Sequence, residues 1–194
     1  LGKVLEEQIP EIEHSVSILP ASWFSSMGII KVGDTQIKAG GQYVSGSYFD
    51  VFTCRYLDGD KTQLFNGNNS IAISESLARK LFGSAEGVVG KNLEWNQGEF
   101  SGMFAISGVY EDVPSNATER FDVLLNYALV LEKRPYLLEW GNSDPSTYVL
   151  LRENADLSNV NNKITALMQS HHKEEGKTAL LAKFSDGYLY GKYE

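Results

Sequence analysis

Histidine side chains are the residues of this chain best suited to metal binding or proton transfer, and the chain has three. His171 and His172 are adjacent, so on a helix they point about 100° apart and cannot both face one metal ion well. Glu174 and Glu175 could complete a loose cation site, but a solvated helix end accounts for all four residues. His14 lies on the apolar side of an alternating segment, where a buried core histidine is the commoner role. The sequence therefore predicts no metal site.

Serine and cysteine nucleophiles find no support in their sequence surroundings. Ser74 follows a predicted strand, but Ala72 and Ser76 stand where the nucleophile elbow of a serine hydrolase needs glycine. Ser74 is better explained as a helix N-cap, because its hydroxyl can accept a hydrogen bond from an otherwise unpaired amide. Cys54 has a single basic neighbour, Arg55, and an aromatic residue two positions away on either side, so we expect a buried, unreactive thiol.

Phosphate, calcium and acid–base motifs are also incomplete. Gly90-Lys91 resembles part of a P-loop, but Asn92 replaces the required hydroxyl residue and the segment follows a helix instead of preceding one. Asp58-Gly59-Asp60 lacks the distal glutamate of a calcium loop. Glu111-Asp112 would point to opposite faces of a strand. The sequence predicts no catalytic residue, no cofactor-binding residue and no enzymatic activity; an unrecognised hydrolase stays open as an alternative.

Composition excludes further classes of function. The chain has 194 residues, with 17 Lys and Arg against 25 Asp and Glu, which gives a net charge of −8. This acidic balance argues against nucleic acid and against anionic lipid, which both attract cationic surfaces. One cysteine excludes an intrachain disulfide. The longest apolar stretch, Val123–Leu131, is far shorter than the roughly 18 residues of a membrane span. Because the chain starts at Leu1, we expect a fragment or a processed form.

Alternation and turn residues predict the elements that hold these side chains. The predicted strands are Ile12–Leu19, a hairpin of Met27–Val32 and Thr35–Ala39, Ser70–Ile73, Asn92–Asn96, Glu99–Tyr110, and a strand from Phe121 leading into Leu124–Leu131. The predicted helices are one turn within Ser45–Phe52 and a helix from Ser74 to Phe82 that Gly83 ends. Asp58-Gly59-Asp60 and residues 66–69 are predicted turns, and Glu111–Arg120 is a predicted polar loop.

The last quarter of the chain is predicted to form a β-α-β unit. Thr147–Leu151 is apolar and β-branched, which is typical of a buried strand. Asp156 caps a helix with an apolar stripe from Leu157 to Met168, and Thr178–Phe184 follows as a strand. Because strands and helices mix without regular alternation, the predicted fold class is α+β.

Three segments, in this order and spacing, resemble the MacB-like periplasmic core domain. The first is Gly41-Gln42-Tyr43-Val44 followed by Tyr48-Phe49-Asp50-Val51-Phe52. The second runs from Ser70-Ile71-Ala72-Ile73-Ser74 to Leu81-Phe82-Gly83 and on to Val89-Gly90-Lys91. The third is Ile106-Ser107-Gly108-Val109-Tyr110 with its polar continuation to Pro114. The resemblance covers the chain from about Ile9 to about Leu189.

The resemblance implies a Porter-like β-α-β subdomain made by both chain ends, at residues 1–60 and 143–194. An inserted, mainly β, Sabre-like subdomain would occupy residues 61–142. It implies a periplasmic, extracytoplasmic domain of an inner-membrane ABC transporter permease of the FtsX/MacB type, between its first and second transmembrane helices.

The function implied by the resemblance is non-catalytic and needs no cofactor. ATP hydrolysis in an ABC ATPase subunit, reached through the transmembrane part, would drive movements that the domain transmits for export or extraction. A second permease copy is the other implied partner, with a periplasmic adaptor or a lipoprotein cargo as further candidates. We expect the ATPase to be a separate subunit.

A periplasmic or secreted module that binds a small ligand or glycan is the alternative. Exposed aromatic residues would serve it, and the candidates are Trp23, Trp95, Trp140, Tyr188, Tyr190 and Tyr193. Trp95 alternates with Leu93, however, which is typical of a core residue. The C-terminal tyrosines could instead lead towards a membrane interface, where tyrosine is favoured.

Overall fold

Ten strands and six helices make up the part of the chain that the computed structural model describes: residues 1–61, 64–65, 67–140, 145–171 and 179–190, with backbone only at 188–190. The strands are β1 (Ile12–Leu19), β2 (Gly28–Val32), β3 (Thr35–Ala39), β4 (Gly41–Val44), β5 (Tyr56–Gly59), β6 (Ser70–Ser74), β7 (Asn92–Asn96), β8 (Gly102–Tyr110), β9 (Val123–Asn126) and β10 (Ser146–Leu151). The helices are α1 (Gly2–Gln8), α2 (Tyr48–Val51), α3 (Glu75–Phe82), α4 (Tyr127–Lys133), α5 (Leu157–His171) and α6 (Phe184–Tyr190).

All ten strands join one mixed sheet, in the order β10-β1-β4-β9-β6-β8-β7-β2-β3, with β5 paired to β8 outside this path. The pairs β4–β9 and β6–β8 are parallel and the others are antiparallel. The predicted α+β class is confirmed. Strands from residues 1–60 pair directly with strands from residues 61–142, and the division into two subdomains stays a prediction.

Local sequence signals explain several elements, and these predictions are confirmed. Gly33 adopts a φ of +57° in the turn that joins β2 to β3. The Ser74 side chain accepts a hydrogen bond from the amide of Leu77 at the start of α3, and Gly83 ends that helix with a φ of +77°. At the start of α5, the carboxylate of Asp156 accepts a hydrogen bond from the amide of Ser158.

Two predicted strand boundaries are wrong, one because a 3-10 turn delays the start of the strand and one because a helix cap ends the strand early. The strand predicted from Glu99 begins at Gly102, since Gly98–Phe100 forms a 3-10 turn in which Gly98 has a φ of +56°. The strand predicted to lead from Phe121 into Leu131 ends at Asn126. The Asn126 side chain accepts a hydrogen bond from the Ala128 amide and starts α4 there.

The closing strand of the predicted β-α-β unit is also wrong. Thr178 lies outside the described residues, residues 179–183 pair with no described strand, and α6 starts at Phe184. Side chains of α5 satisfy this backbone instead: Asn161 accepts from the Leu181 amide at 2.8 Å, and Thr165 donates to the Ala179 carbonyl at 3.2 Å. A strand partner is therefore unnecessary.

Two further predictions need correction. Asp58-Gly59, predicted as a turn, lies in β5, which pairs with the end of β8 and has an irregular register between Tyr56 and Asp58. Thr147–Leu151, predicted as a buried strand, is a half-buried edge strand that pairs with β1 alone among the described strands.

Successive side chains of the central strands point to opposite faces of the sheet, so β4, β6 and β9 bury both faces. One face carries the largest core, under α3 and α4. The other carries a second core with the aromatic residues around α2. A third core lies at the chain ends, where Leu5, Ile9, Ile12, Val160 and Ile164 are buried together.

Trp95 is the largest fully buried side chain, and two glycines make room for it. A Cβ atom built on Gly28 would lie 2.0 Å from Cη2 of Trp95, and one built on Gly41 would lie 2.5 Å from Cζ2. The indole therefore occupies the space that side chains of β2 and β4 would fill. The indole nitrogen donates to the Tyr43 hydroxyl at 3.3 Å, so the buried polar atom is satisfied.

Replacing Gly28 or Gly41 by alanine should destabilise the protein by about 1–3 kcal/mol, because the new methyl group overpacks the core against Trp95. Urea unfolding followed by tryptophan fluorescence measures this. Gly46 is the matched control, since no atom lies within 4 Å of a Cβ built there. Gly46→Ala should change stability by less than about 0.5 kcal/mol. Equal urea midpoints for Gly28→Ala and Gly46→Ala would contradict this packing of Trp95 against the glycines.

Candidate functional site

The residues that the sequence singled out for metal or nucleophile chemistry do not come together. Among the described residues, no group of three His, Cys, Asp or Glu side chains could hold a metal ion. His171 ends α5 and stacks on Trp140, with ring centroids 3.9 Å apart and planes 6° apart. His172, Glu174 and Glu175 lie outside the described residues.

Cys54 is half-buried, so the prediction of a buried thiol is wrong in degree. Partial burial, with the Glu111 carboxylate as a second cause, raises the pKa of the Cys54 thiol to about 11. The group is therefore protonated at neutral pH and a weak nucleophile. Its sulfur lies 3.8 Å from the carbonyl oxygen of Glu111.

The aromatic residues proposed for ligand binding are dispersed. Trp95 is fully buried, which confirms its role in the core. Trp23 is half-exposed, and Trp140 is held against His171. The side chains of Tyr188 and Tyr190, and all of Tyr193, lie outside the described part of the chain.

The residues that the fold does bring together are the two ends of the chain. β1 pairs with β10 over six residue pairs, from Ile12–Leu151 to Ile18–Ser146. Helix α1 lies on β1, α5 packs in the same apolar core, and residues 179 and 181 close that core from outside. We call α1, β1, β10, α5 and residues 179–181 the chain-end module.

Glu11 is the polar centre of this module. Its Oε1 accepts hydrogen bonds from Lys163 and Asn159, both on α5. Its backbone carbonyl accepts the amide of Arg152 at 2.8 Å, and the Arg152 side chain donates to the carbonyl of Pro10 at 2.9 Å. The segment Pro10–Glu11, just before β1, is thus held both by Arg152 at the end of β10 and by α5.

A second carboxylate fastens α1. Oε2 of Glu6 accepts the amide of Ser15 at 2.7 Å and its hydroxyl at 2.9 Å. Ser15 is 5% exposed, so both bonds are largely shielded from water. Gly2 fits closely against the same strand, because a Cβ there would lie 3.1 Å from the Ser17 hydroxyl. Helix α1 therefore cannot move away from β1 without exposing paired polar groups.

The module joins the rest of the sheet through a short seam between β1 and β4. Only Ile18–Val44 and Leu19–Tyr43 pair there. The Ser45 amide donates to the Ser17 carbonyl at 3.0 Å, and the Ser17 amide donates to the Ser45 hydroxyl at 2.9 Å. Side-chain packing extends the seam, because Val16 and Ile18 belong to the second core.

Aromatic contacts add to the seam on the α2 side. Phe52 follows α2 and stacks on Tyr48, with ring centroids 5.2 Å apart, and it meets Tyr148 of β10 edge to face at 5.3 Å. Phe184 of α6 makes edge-to-face contacts with both Phe52 and Tyr148. The seam can therefore carry a displacement of the chain ends into the main sheet by direct contact.

Sequence patterns predicted β1, β10 and α5, but they did not predict α1, β4 or the role of Glu11. Glu11 and Lys163 are 152 residues apart. No local spacing can indicate such a pair. No helix in the described part of the chain has the length and apolarity to cross a membrane.

Comparison with known proteins identifies relatives of the whole arrangement. The family model of the MacB-like periplasmic core domain matches residues 2–167. A comparison with curated protein sequences gives no match. A domain assigned to a permease protein from Porphyromonas gingivalis is similar in fold, with 21% identity, 97% of this chain and 87% of that chain covered, and a TM-score of 0.70.

Two further solved structures are similar in fold. The periplasmic region of MacB from Actinobacillus actinomycetemcomitans has 21% identity and a TM-score of 0.61, with 87% of this chain and 71% of that chain covered. The extracellular domain of the noncanonic ABC-type transporter YknZ from Gram-positive bacteria has 14% identity and a TM-score of 0.62, with 93% of this chain and 86% of that chain covered.

Glu11→Gln should lower the stability of the protein at neutral pH. The difference in stability between variant and wild type should become smaller as the pH falls. The hydrogen bond from Lys163 holds the pKa of Glu11 below its ordinary 4.5. Stability from the ionised form is therefore present above pH 4.5 and lost as the pH falls through the lowered pKa. Thermal unfolding from pH 3 to 7 measures the difference between variant and wild type.

Glu13→Gln is the matched control, because Glu13 is an exposed glutamate two residues further along the chain, in β1. Its unfolding temperature should follow that of the wild type at every pH. A Glu11→Gln difference that is constant with pH, or equal to that of Glu13→Gln, would contradict the role of Glu11.

Proposed function

This chain belongs to the MacB-like periplasmic core domains, the extracytoplasmic domains of ABC transporter permeases of the MacB/FtsX type, and we propose that it transmits ATP-driven movement across the membrane. In this proposal the domain performs no chemistry. It moves as a body when the transmembrane helices attached to its two ends move, and that movement serves export or extraction of a cargo.

The observation that carries the proposal is the joining of both chain ends in one module. A displacement at either end enters α1 and β1 or β10 and α5, which share a core and the Glu11 contacts. Because these contacts are mostly buried or paired, pulling one end moves the other with it. The seam to β4 then passes the movement on to the main sheet.

The partners in this proposal are an ABC ATPase subunit, coupled through the transmembrane part, and a second copy of the permease. A periplasmic adaptor or a lipoprotein cargo would contact the domain on surfaces away from the chain-end module. The division into a Porter-like part (residues 1–60 and 143–194) and a Sabre-like part (residues 61–142) belongs to the same proposal. The placement of the module within the first part supports it.

Val160→Ala should weaken coupling in the intact permease–ATPase complex. Val160 is fully buried in the third core, so its truncation leaves a cavity between α5 and the strands and costs about 1–3 kcal/mol. A spin label on Lys38→Cys in a Cys54→Ser background reports movement, since β3 lies at the opposite end of the sheet from β10. The measurement is the label-to-label distance between the two copies, before and after ATP with vanadate.

We expect an ATP-dependent change of this distance in the labelled parent and a smaller or broader change in V160A. Val109→Ala is the matched control, because Val109 is equally buried but belongs to the largest core, under α3 and α4. It should lose similar stability and keep the ATP-dependent change. No ATP-dependent change in the parent, or equal changes in V160A and the parent, would contradict the proposal.

A further inference from the structure

Trp140 and His171 stack where the helical cover of the main sheet meets the chain-end module. Their ring centroids lie 3.9 Å apart and their planes are 6° apart, so the two rings lie almost face to face. Trp140 ends the described segment that follows α4, and His171 is the last residue of α5. What this contact does depends on how firmly each of the two segments is held.

The segment that follows α4 is fixed to the largest core. Leu137, in the 3-10 turn after α4, packs against that core. The guanidinium carbon of Arg134 lies 5.1 Å from the ring centroid of Phe100, and Nε of Arg134 donates to the Glu99 carboxylate at 2.8 Å. Phe100 is itself buried in the largest core. Trp140 is therefore carried by a segment that is attached to the main sheet.

Helix α5 is fixed to the third core. Val160 and Ile164 are buried there, and Leu167 and Met168 pack against it. His171 follows within the next turn of the same helix. Its ring is therefore carried by an element of the chain-end module.

The lengths of β10 and α5 explain why the two rings meet. β10 has 6 residues and α5 has 15, which correspond to about 20 Å and about 22 Å. Because α5 packs back over β10 in the third core, its last turn reaches the level at which β10 starts. Trp140 lies shortly before that strand along the chain, so His171 arrives beside it.

The two cores that the stack joins lie on the same face of the sheet. Ser15, Ser17 and Leu19 point to one face of β1, because alternate residues of a strand share a face. Leu19 belongs to the largest core, while a Cβ built on Gly2 of α1 would lie 3.1 and 3.3 Å from the hydroxyl oxygens of Ser17 and Ser15. The backbone connection between the two cores is the β1–β4 seam, with its two residue pairs.

We propose that the Trp140–His171 stack is a second junction between the main sheet and the chain-end module. It holds the end of α5 to the segment that follows α4, so a displacement of α5 reaches the largest core without passing through the β1–β4 seam. Trp140 and His171 act as positioning residues in this junction. The transmission of movement through the stack rests on the proposed function, whereas the coupling between the two rings does not.

A double-mutant cycle tests the coupling in this chain alone. Trp140→Ala, His171→Ala and the double variant are compared by native-state hydrogen exchange of the Leu167 and Met168 amides. Each single variant should exchange about threefold to tenfold faster than the wild type, which corresponds to the loss of one aromatic contact. The double variant should exchange no faster than Trp140→Ala, because both substitutions remove the same contact.

His171→Ala separates the stack from helix propensity, because the two effects have opposite signs. Alanine is the best helix former, so at an exposed helix end without the stack this substitution would slow exchange or leave it unchanged. Gln169→Ala is the matched control, since Gln169 is exposed in the same last turn, and it should not accelerate exchange. His171→Tyr keeps a flat ring against the indole and should restore most of the protection that His171→Ala loses.

Transmission through the stack is tested in the intact permease–ATPase complex. Trp140→Ala is added to the chain that carries the spin label on Lys38→Cys. We expect a smaller or broader ATP-dependent change of the label-to-label distance than in the labelled parent. Trp23→Ala is the matched control, because Trp23 is 50% exposed in the turn after β1, and it should keep the change seen in the parent.

Three outcomes would overturn parts of this account. Additive effects of Trp140→Ala and His171→Ala, or no acceleration by His171→Ala, would contradict the coupling of the rings. Coupled rings with an ATP-dependent change equal to that of the parent would show that the stack fastens α5 without transmitting movement. No ATP-dependent change in the labelled parent would overturn the proposed function and the transmission through the stack, but not the coupling measured in the chain alone.

Discussion

The antiparallel pairing of β1 with β10 is the interaction on which the rest of the chain-end module depends. It brings together residues from the two ends of the chain and builds the surface on which α1 and α5 lie. Without β10, Arg152 would not reach the carbonyl of Pro10, and α5 would not present Lys163 to Glu11. In the proposed function this junction makes the two ends of the chain move together.

Beyond this junction, the main sheet is closely packed because of the residues on its central strands. Its central strands are apolar on both faces, and Trp95 fills the space left by Gly28 and Gly41. A buried series of hydrogen bonds runs from Trp95 through Tyr43 to Gln97 and on to the Ser26 carbonyl. Close packing and satisfied buried hydrogen bonds therefore hold the centre of the sheet in one arrangement.

Features set by neighbours in the sequence could be predicted, and features set by tertiary contact could not. The Gly33-Asp34 turn and the Ser74 cap follow from local backbone chemistry and were found from the sequence. The strand predicted at Thr178–Phe184 is wrong, because Asn161 and Thr165 of α5 satisfy that backbone. The site itself depends on Glu11 meeting Lys163, a pairing that only the completed sheet creates. The family resemblance indicated the fold class correctly, but no motif in it pointed to these contacts.

Native-state hydrogen exchange tests most directly whether the chain ends and the main sheet move as one body. Exchange of the ladder amides is followed residue by residue at increasing, sub-denaturing urea concentrations. If the account is right, the amides of β1 and β10 exchange with the same free energy of opening as those of β6 and β8. The contrary result is that the amides of β1, β10 and α5 exchange through a separate opening of lower free energy. The chain ends would then unfold without the main sheet, and the two would not move as one body.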